Sequence, residues 1–136
     1  ARATTQLPVV ASMTFQQDAD GKNYHTIMGV DVRTMVKRLC DAGADILGTN
    51  CGQGIEQMIG VVRQMRAATD LPILVEPNAG LPRLSQGRTV YAQTPEEMVR
   101  SLDALLDAGA NIVGGCCGTT PAHIRLIAER VRARGR

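Results

Sequence analysis

A twelve-residue stretch of this chain recurs with eight of its residues unchanged. Asp41-Ala42-Gly43-Ala44-Asp45-Ile46-Leu47-Gly48-Thr49-Asn50-Cys51-Gly52 matches Asp107-Ala108-Gly109-Ala110-Asn111-Ile112-Val113-Gly114-Gly115-Cys116-Cys117-Gly118 at an offset of 66, and Pro8-Val9-Val10 matches Pro72-Ile73-Leu74 at an offset of 64. Such self-similarity divides the chain into two tandem units, about residues 7–69 and 71–134. Each unit reads as strand, helix, strand, helix. Short apolar, β-branched runs predict strands at 7–14, 44–49, 72–75 and 111–115. Asp31 can cap a helix to about residue 42 with Met35, Val36 and Leu39 on one face and Gly43 as its stop. Ile55, Met58, Ile59, Val62 and Met65 carry the helical period over 55–68. Thr94-Pro95-Glu96-Glu97 joins a capping residue, a first-turn Pro and a third-position Glu, predicting a helix that ends at Gly109, and the last helix covers 121–133. Residues 16–29 and the stretch from about 79 to 93 read as long polar loops after strands, a place where function is often carried.

Strands that alternate with helices make a parallel sheet with right-handed crossovers, and reactive groups then gather at the carboxyl ends of the strands. Thr14, Cys51, Asn78, Cys116 and Cys117 all fall at such ends. A four-stranded parallel sheet with one helix layer leaves two bare edges and an uncovered face. Four βα units are half of a (β/α)8 TIM barrel, so the sequence predicts an α/β fold in which residues 1–136 are a single partial domain, a half barrel. The missing half then comes from another segment or from a second copy in a homodimer. An opening of Ala1-Arg2-Ala3 without Met agrees with a piece of something longer.

Composition narrows the function. The charge of +2 is small, Trp is absent and only one Phe and two Tyr are present, so a nucleic-acid partner is not expected. No apolar run reaches the roughly 18 residues of a membrane span, and four cysteines without a recognisable leader predict a reducing, cytoplasmic setting. Cys40, beside Leu39 on a helix, reads as an inert core thiol. Cys116-Cys117 lies between glycines at a strand-to-helix corner, and the repeat brings Cys51 to the equivalent strand end. Three thiols at one rim fit a soft-metal site with an open fourth position, for which zinc is the common choice. A vicinal Cys116-Cys117 disulfide and incidental core thiols fit the same spacing.

Gly114-Gly115-Cys116-Cys117-Gly118-Thr119-Thr120-Pro121, Gly48-Thr49-Asn50-Cys51 and Glu76-Pro77-Asn78-Ala79-Gly80-Leu81-Pro82 resemble the homocysteine S-methyltransferase family, in particular the homocysteine-binding barrel of cobalamin-dependent methionine synthases. The resemblance runs from about residue 8 to 131 and implies the C-terminal half of a TIM barrel. It implies Cys51, Cys116 and Cys117 as zinc ligands, with Asn78 beside the metal as a transient fourth ligand when substrate is absent. It also implies zinc-dependent methyl transfer to a thiol, homocysteine to methionine, from a corrinoid (cobalamin) or another methyl donor carried on another domain or protein. The alternative is a non-catalytic half-barrel scaffold that needs a partner. Glu76, at a strand end, is a candidate for a substrate ammonium group, a structural carboxylate being the other use. Thr119 and Thr120 read as helix caps, His25 and His123 as solvated side chains, and Arg130, Arg132, Arg134 and Arg136 as a solvated basic helix end.

Overall fold

The computed structural model describes residues 1–135. In chain order the elements are β1 (Val10–Met13), β2 (Gln16–Gln17), β3 (Tyr24–His25), α1 (Val32–Asp41), β4 (Ile46–Gly54), α2 (Ile55–Arg66), β5 (Ile73–Asn78), β6 (Arg83–Ser85), β7 (Arg88–Val90), α3 (Pro95–Arg100), α4 (Leu102–Asp107), β8 (Ile112–Val113) and α5 (Pro121–Ala133). β1, β4, β5 and β8 form one sheet in that order, every pair parallel. The fold is therefore α/β around a four-stranded parallel sheet.

The sheet has two unlike faces. Leu47, Thr49, Ile73 and Val75 are buried beneath the helices, packed with Val32, Met35 and Val36 of α1, Ile55, Met58, Val62 and Met65 of α2, and Leu102 and Leu105 of α4. On the other face the register sets Ser12, Gly48, Leu74 and Ile112 side by side, with Asn50 opposite Glu76 one step nearer the rim. Among the described residues no helix covers that row, and Ile112 is 43% exposed. Asp31 caps α1 by accepting from Thr34 N at 2.8 Å, and Thr94 with Glu97 forms the expected capping box on α3.

Three local expectations are corrected. Each long loop contains a hairpin, β2 with β3 and β6 with β7, both antiparallel. In the first, buried Phe15 and Tyr24 anchor what reads in sequence as a polar excursion. The helix expected over 94–109 breaks at Ser101, whose N–H turns to Met98 O at 3.2 Å while its Oγ donates to Glu56 Oε1 at 2.9 Å. The basic helix end is not merely solvated. Arg130 and Arg134 both pair with Asp103 of α4, and Arg134 also reaches Asp107 at 2.6 Å. Arg136 lies outside the described residues.

Those arginines, Arg130 first, hold the Asp103 carboxyl down at about 2. Its folded pKa lies below the unfolded value of about 3.9, so the stabilisation is complete above about pH 4 and disappears as pH falls towards 2. Asp103→Asn is therefore expected to flatten the loss of stability between pH 4 and pH 2 in urea unfolding. An acid slope identical to wild type would refute this coupling.

At the amino end of the strands the repeat goes further than its apolar core. Arg66 donates to Gly109 O at 3.1 Å and to Asn111 Oδ1 at 2.8 Å, and Asn111 Oδ1 also accepts from Ile73 N at 2.9 Å. Arg2 donates to Gly43 O at 2.9 Å and pairs with Asp45, whose Oδ2 accepts from Val9 N at 2.7 Å. The two joints are the same construction 64 to 66 residues apart. Thr5 and Thr69 repeat it again, each hydroxyl accepting from the N–H two residues on. Among the described residues, no helix is long and apolar enough to cross a membrane.

Candidate metal centre

β4 and β5 run in register to Asn50–Glu76, but the next matched pair is Gly54–Asn78. β4 thus uses four residues where β5 uses two, and the surplus forms a bulge containing Cys51. Cys51 has φ 58 and Gly52 φ 70. A non-glycine residue in this left-handed region costs roughly 1–2 kcal/mol, a strain tolerated where the surrounding structure enforces it. Gly52 supplies the second half of the turn, since a Cβ there would lie 2.9 Å from Phe15 O. The bulge turns the Cys51 thiol towards the end of β8.

The second pair of thiols sits on a turn stitched to β5. Cys116 N donates to Pro77 O at 2.9 Å, Ala79 N donates to Cys117 O at 2.9 Å, and Cys117 N donates to Asn78 Oδ1 at 3.1 Å. Thr119 Oγ1 closes the turn on Cys116 O at 2.7 Å. Gly118 then leaves with φ 78, and a Cβ on it would stand 2.3 Å from Tyr91 Cβ. Thr120 is the N-cap of α5, as expected for one of the two threonines.

These turns bring the three sulfurs of Cys51, Cys116 and Cys117 within 4.8 Å of one another. Cys117 Sγ is 3.8 Å from Cys51 Sγ and 3.9 Å from Cys116 Sγ. Sulfurs bound at about 2.3 Å to one tetrahedral ion stand roughly 3.8 Å apart, so the donor set fits a thiolate metal such as zinc in chemistry and in spacing. A disulfide would need about 2.05 Å, and all four cysteines are free. Cys40 is remote from the cluster, near Thr69 Oγ1 at 3.8 Å. Burial pushes the Cys116 thiol up to about 11. A hydrogen bond from Tyr91, followed by those from Cys51 and Cys116, instead holds Cys117 below the usual thiol range.

Asn78 is 1% exposed, with its Oδ1 engaged by the Cys117 N–H, so in this structure it holds the backbone of the thiol turn. Glu76 is half-buried on the open face, opposite Asn50, which accepts from Ser12 Oγ at 2.7 Å. Thr14 is exposed at the end of β1. His123 differs from expectation. It is 4% exposed, its Nδ1 accepts from Thr120 N at 3.1 Å, and its Nε2–H donates to Gln93 O at 3.0 Å. His25 is partly exposed and pairs with Asp18 at 3.1 Å. Tyr91 was not anticipated from sequence, although one signal was available. The chain has only three aromatic residues, and the other two, Phe15 and Tyr24, are core.

The homocysteine S-methyltransferase family model matches residues 1–131. Methionine synthase of Mycobacterium tuberculosis (strain ATCC 25618 / H37Rv) is 34% identical over 131 residues, covering 96% of this chain and 11% of that protein. Methionine synthase of Mycobacterium leprae (strain TN) is 33% identical over 135 residues, with the same coverage of 96% and 11%. The chain thus spans about a tenth of the length of these relatives. Among solved structures, the homocysteine methyltransferase MmuM from Escherichia coli in its metallated form superposes with a TM-score of 0.72 at 26% identity, covering 95% of this chain and 38% of that one. Its apo form gives 0.70, covering 95% and 41%. The match over nearly the whole chain, together with the thiol turn it encloses, shows that the chain belongs to the homocysteine S-methyltransferase family.

Proposed function

We propose that this chain carries the metal-binding half of a zinc-dependent methyltransferase that acts on a thiol, most simply converting homocysteine to methionine. The observation that carries the proposal is the convergence of Cys51, Cys116 and Cys117 from two different strand ends. When bound, zinc would keep a substrate thiol deprotonated and nucleophilic at neutral pH, in place of the small thiolate fraction free in solution. The protein's own groups do the positioning. The strained bulge aims Cys51, Asn78 holds Cys117 through its backbone N–H, and the turn at Thr119 fixes Cys116. Asn78, buried beside the Cys117 backbone, is also the candidate for a transient fourth ligand. Ser12, Asn50 and Glu76 make the open face beside the thiols polar, and Glu76 can accept from the ammonium group of an amino-acid thiol. The methyl donor, a corrinoid such as cobalamin or another activated methyl compound, would approach from a separate domain or protein.

We further infer that residues 1–136 are one partial domain of two βαβα units and supply the C-terminal half of a (β/α)8 barrel. Three observations support this. Among the described residues one sheet face carries no helices and β1 and β8 each have a strand on one side only, and the chain covers 38% of MmuM. The other half, from a further segment or a second copy, would pair those edges and enclose the site. A half-barrel scaffold without activity is the competing function, and the same open edges favour it.

Metal analysis and methyl transfer on the natural-length protein test the proposal together. One zinc per barrel, homocysteine methylation, and loss of both on chelation are expected. Methylation undiminished in a metal-free preparation would sink it. The localisation we propose is cytoplasmic, where free thiols persist.

A further inference from the structure

Thr14 and Phe15, where the chain leaves β1, hold the Cys51 bulge from outside. A Cβ on Gly52 would lie 2.9 Å from Phe15 O and 2.9 Å from Thr14 Cγ2, so this segment is seated directly on the turn that follows the thiol. Cys51 itself stands at φ 58, a conformation that an L residue keeps only when its surroundings impose it. The aim of the Cys51 thiol therefore depends on Thr14 and Phe15 staying where they are.

What keeps them there is the β2–β3 hairpin, which begins at the next residue. Gln17 faces Tyr24 across the ribbon, and its Nε2 donates to Gly21 O at 2.7 Å and to Tyr24 Oη at 3.1 Å. The Tyr24 side chain, 7% exposed, then runs into α2, where Gly60 leaves a notch for it. A Cβ on Gly60 would lie 2.0 Å from Tyr24 Oη, 2.6 Å from Cζ and 2.9 Å from Cε2. One turn further along α2, Gln64 Nε2 donates to Lys22 O at 3.2 Å and fastens the same hairpin a second time. The contacts close a ring. β4 passes through Cys51 into α2, α2 receives Tyr24, and the hairpin returns through Phe15 to Gly52.

From this geometry we propose that Tyr24, seated in the Gly60 notch, is a positioning residue for the metal site: it anchors the β2–β3 hairpin, and the hairpin holds Cys51 in the left-handed turn that brings its thiol to Cys117. Tyr24 acts through the segment at residues 14 and 15 rather than on a sulfur. The proposal rests on the reading of Cys51, Cys116 and Cys117 as metal ligands. It goes beyond that reading in naming what enforces the strained one. No covalent step is involved. Groups that orient a ligand from outside the donor set typically change metal affinity about 10- to 100-fold when lost.

Cobalt(II) alone is the probe, because the intensity of thiolate-to-cobalt charge transfer reports how many sulfurs are bound. The natural-length protein is titrated as wild type, as Gly60→Ala, and as Gly60→Ala combined with Tyr24→Leu. Helix interiors favour Ala over Gly, so Gly60→Ala supports α2 by propensity while its methyl evicts the phenol. Leu is short enough to clear that methyl and let the hairpin settle again. Gly60→Ala is expected to weaken cobalt binding about tenfold and to lower the charge-transfer intensity by about a third, one thiolate of three, with unchanged helix content by circular dichroism. The double variant should recover most of both. A Gly60→Ala titration that superimposes on wild type, or a loss that the double variant does not recover, would overturn the role of Tyr24 while leaving the three-thiol site intact. Failure of wild-type protein to give any thiolate-cobalt band would overturn both.

Discussion

Replacing Cys117 by Ser is expected to weaken zinc binding roughly 100-fold or more and to remove methyl transfer with it. Loss of groups that merely support a ligand costs about 10- to 100-fold, and a ligand itself should cost at least the upper end. Cys117 is chosen because its sulfur lies 3.8 Å from Cys51 and 3.9 Å from Cys116, whereas the alcohol of serine is a poor anionic donor at neutral pH. The fold should survive, since the backbone N–H of residue 117 still reaches Asn78 Oδ1. Chelator competition gives the affinity and circular dichroism the fold. Zinc retention within a factor of three of wild type would remove Cys117 from the ligand set.

Leu47→Ala is expected to be the most destabilising of the substitutions considered, by about 2–5 kcal/mol. Leu47 is 0% exposed on β4, between β1 and β5 and beneath the helices. Domains of this size are stabilised by only about 5–15 kcal/mol, so much of the population would unfold at modest urea. β4 also carries Cys51, so the cavity lies four residues from the strained bulge. Zinc, if it binds only the folded form, should recover part of the loss by mass action. The urea midpoint with and without metal measures both effects, and a loss below about 1 kcal/mol would show that the surrounding helices collapse into the space.

Much of the scaffold was legible because it is written in local periods. Asp31 and Thr94 mark helix starts by their own chemistry, and the paired Asp-Ala-Gly-Ala stretches place the second and fourth strands. The same repeat put Cys51 opposite Cys117, and those are the sulfurs that meet. The left-handed Cys51 was not legible, because a bulge is a mismatch between two strands and belongs to neither sequence alone. The two hairpins were hidden for a related reason. Strands of two or three residues are too short to show alternation, and polar side chains on an exposed ribbon look like any loop. His123 and Tyr91 were missed because their partners, Gln93 and Cys117, lie on other elements. An isolated histidine in a first helical turn gives no sign of whether it faces water or a neighbouring carbonyl.

The twin arginine joints bear on how a chain like this could arise. Arg2 with Gly43 and Asp45, and Arg66 with Gly109 and Asn111, lock the bottom of the sheet by one design. At the opposite end the matching positions differ, Asn50 in one unit and Cys116 in the other. Duplication of an ancestral βαβα module would leave that signature: the fastening at one end retained in both copies, and the other end free to diverge. Because the fastening lies a full strand length from the thiols, a change at the rim need not loosen it. New reactivity could then be tried on one copy while both remained folded, and a two-thiol turn facing a one-thiol bulge is what such unequal histories would produce.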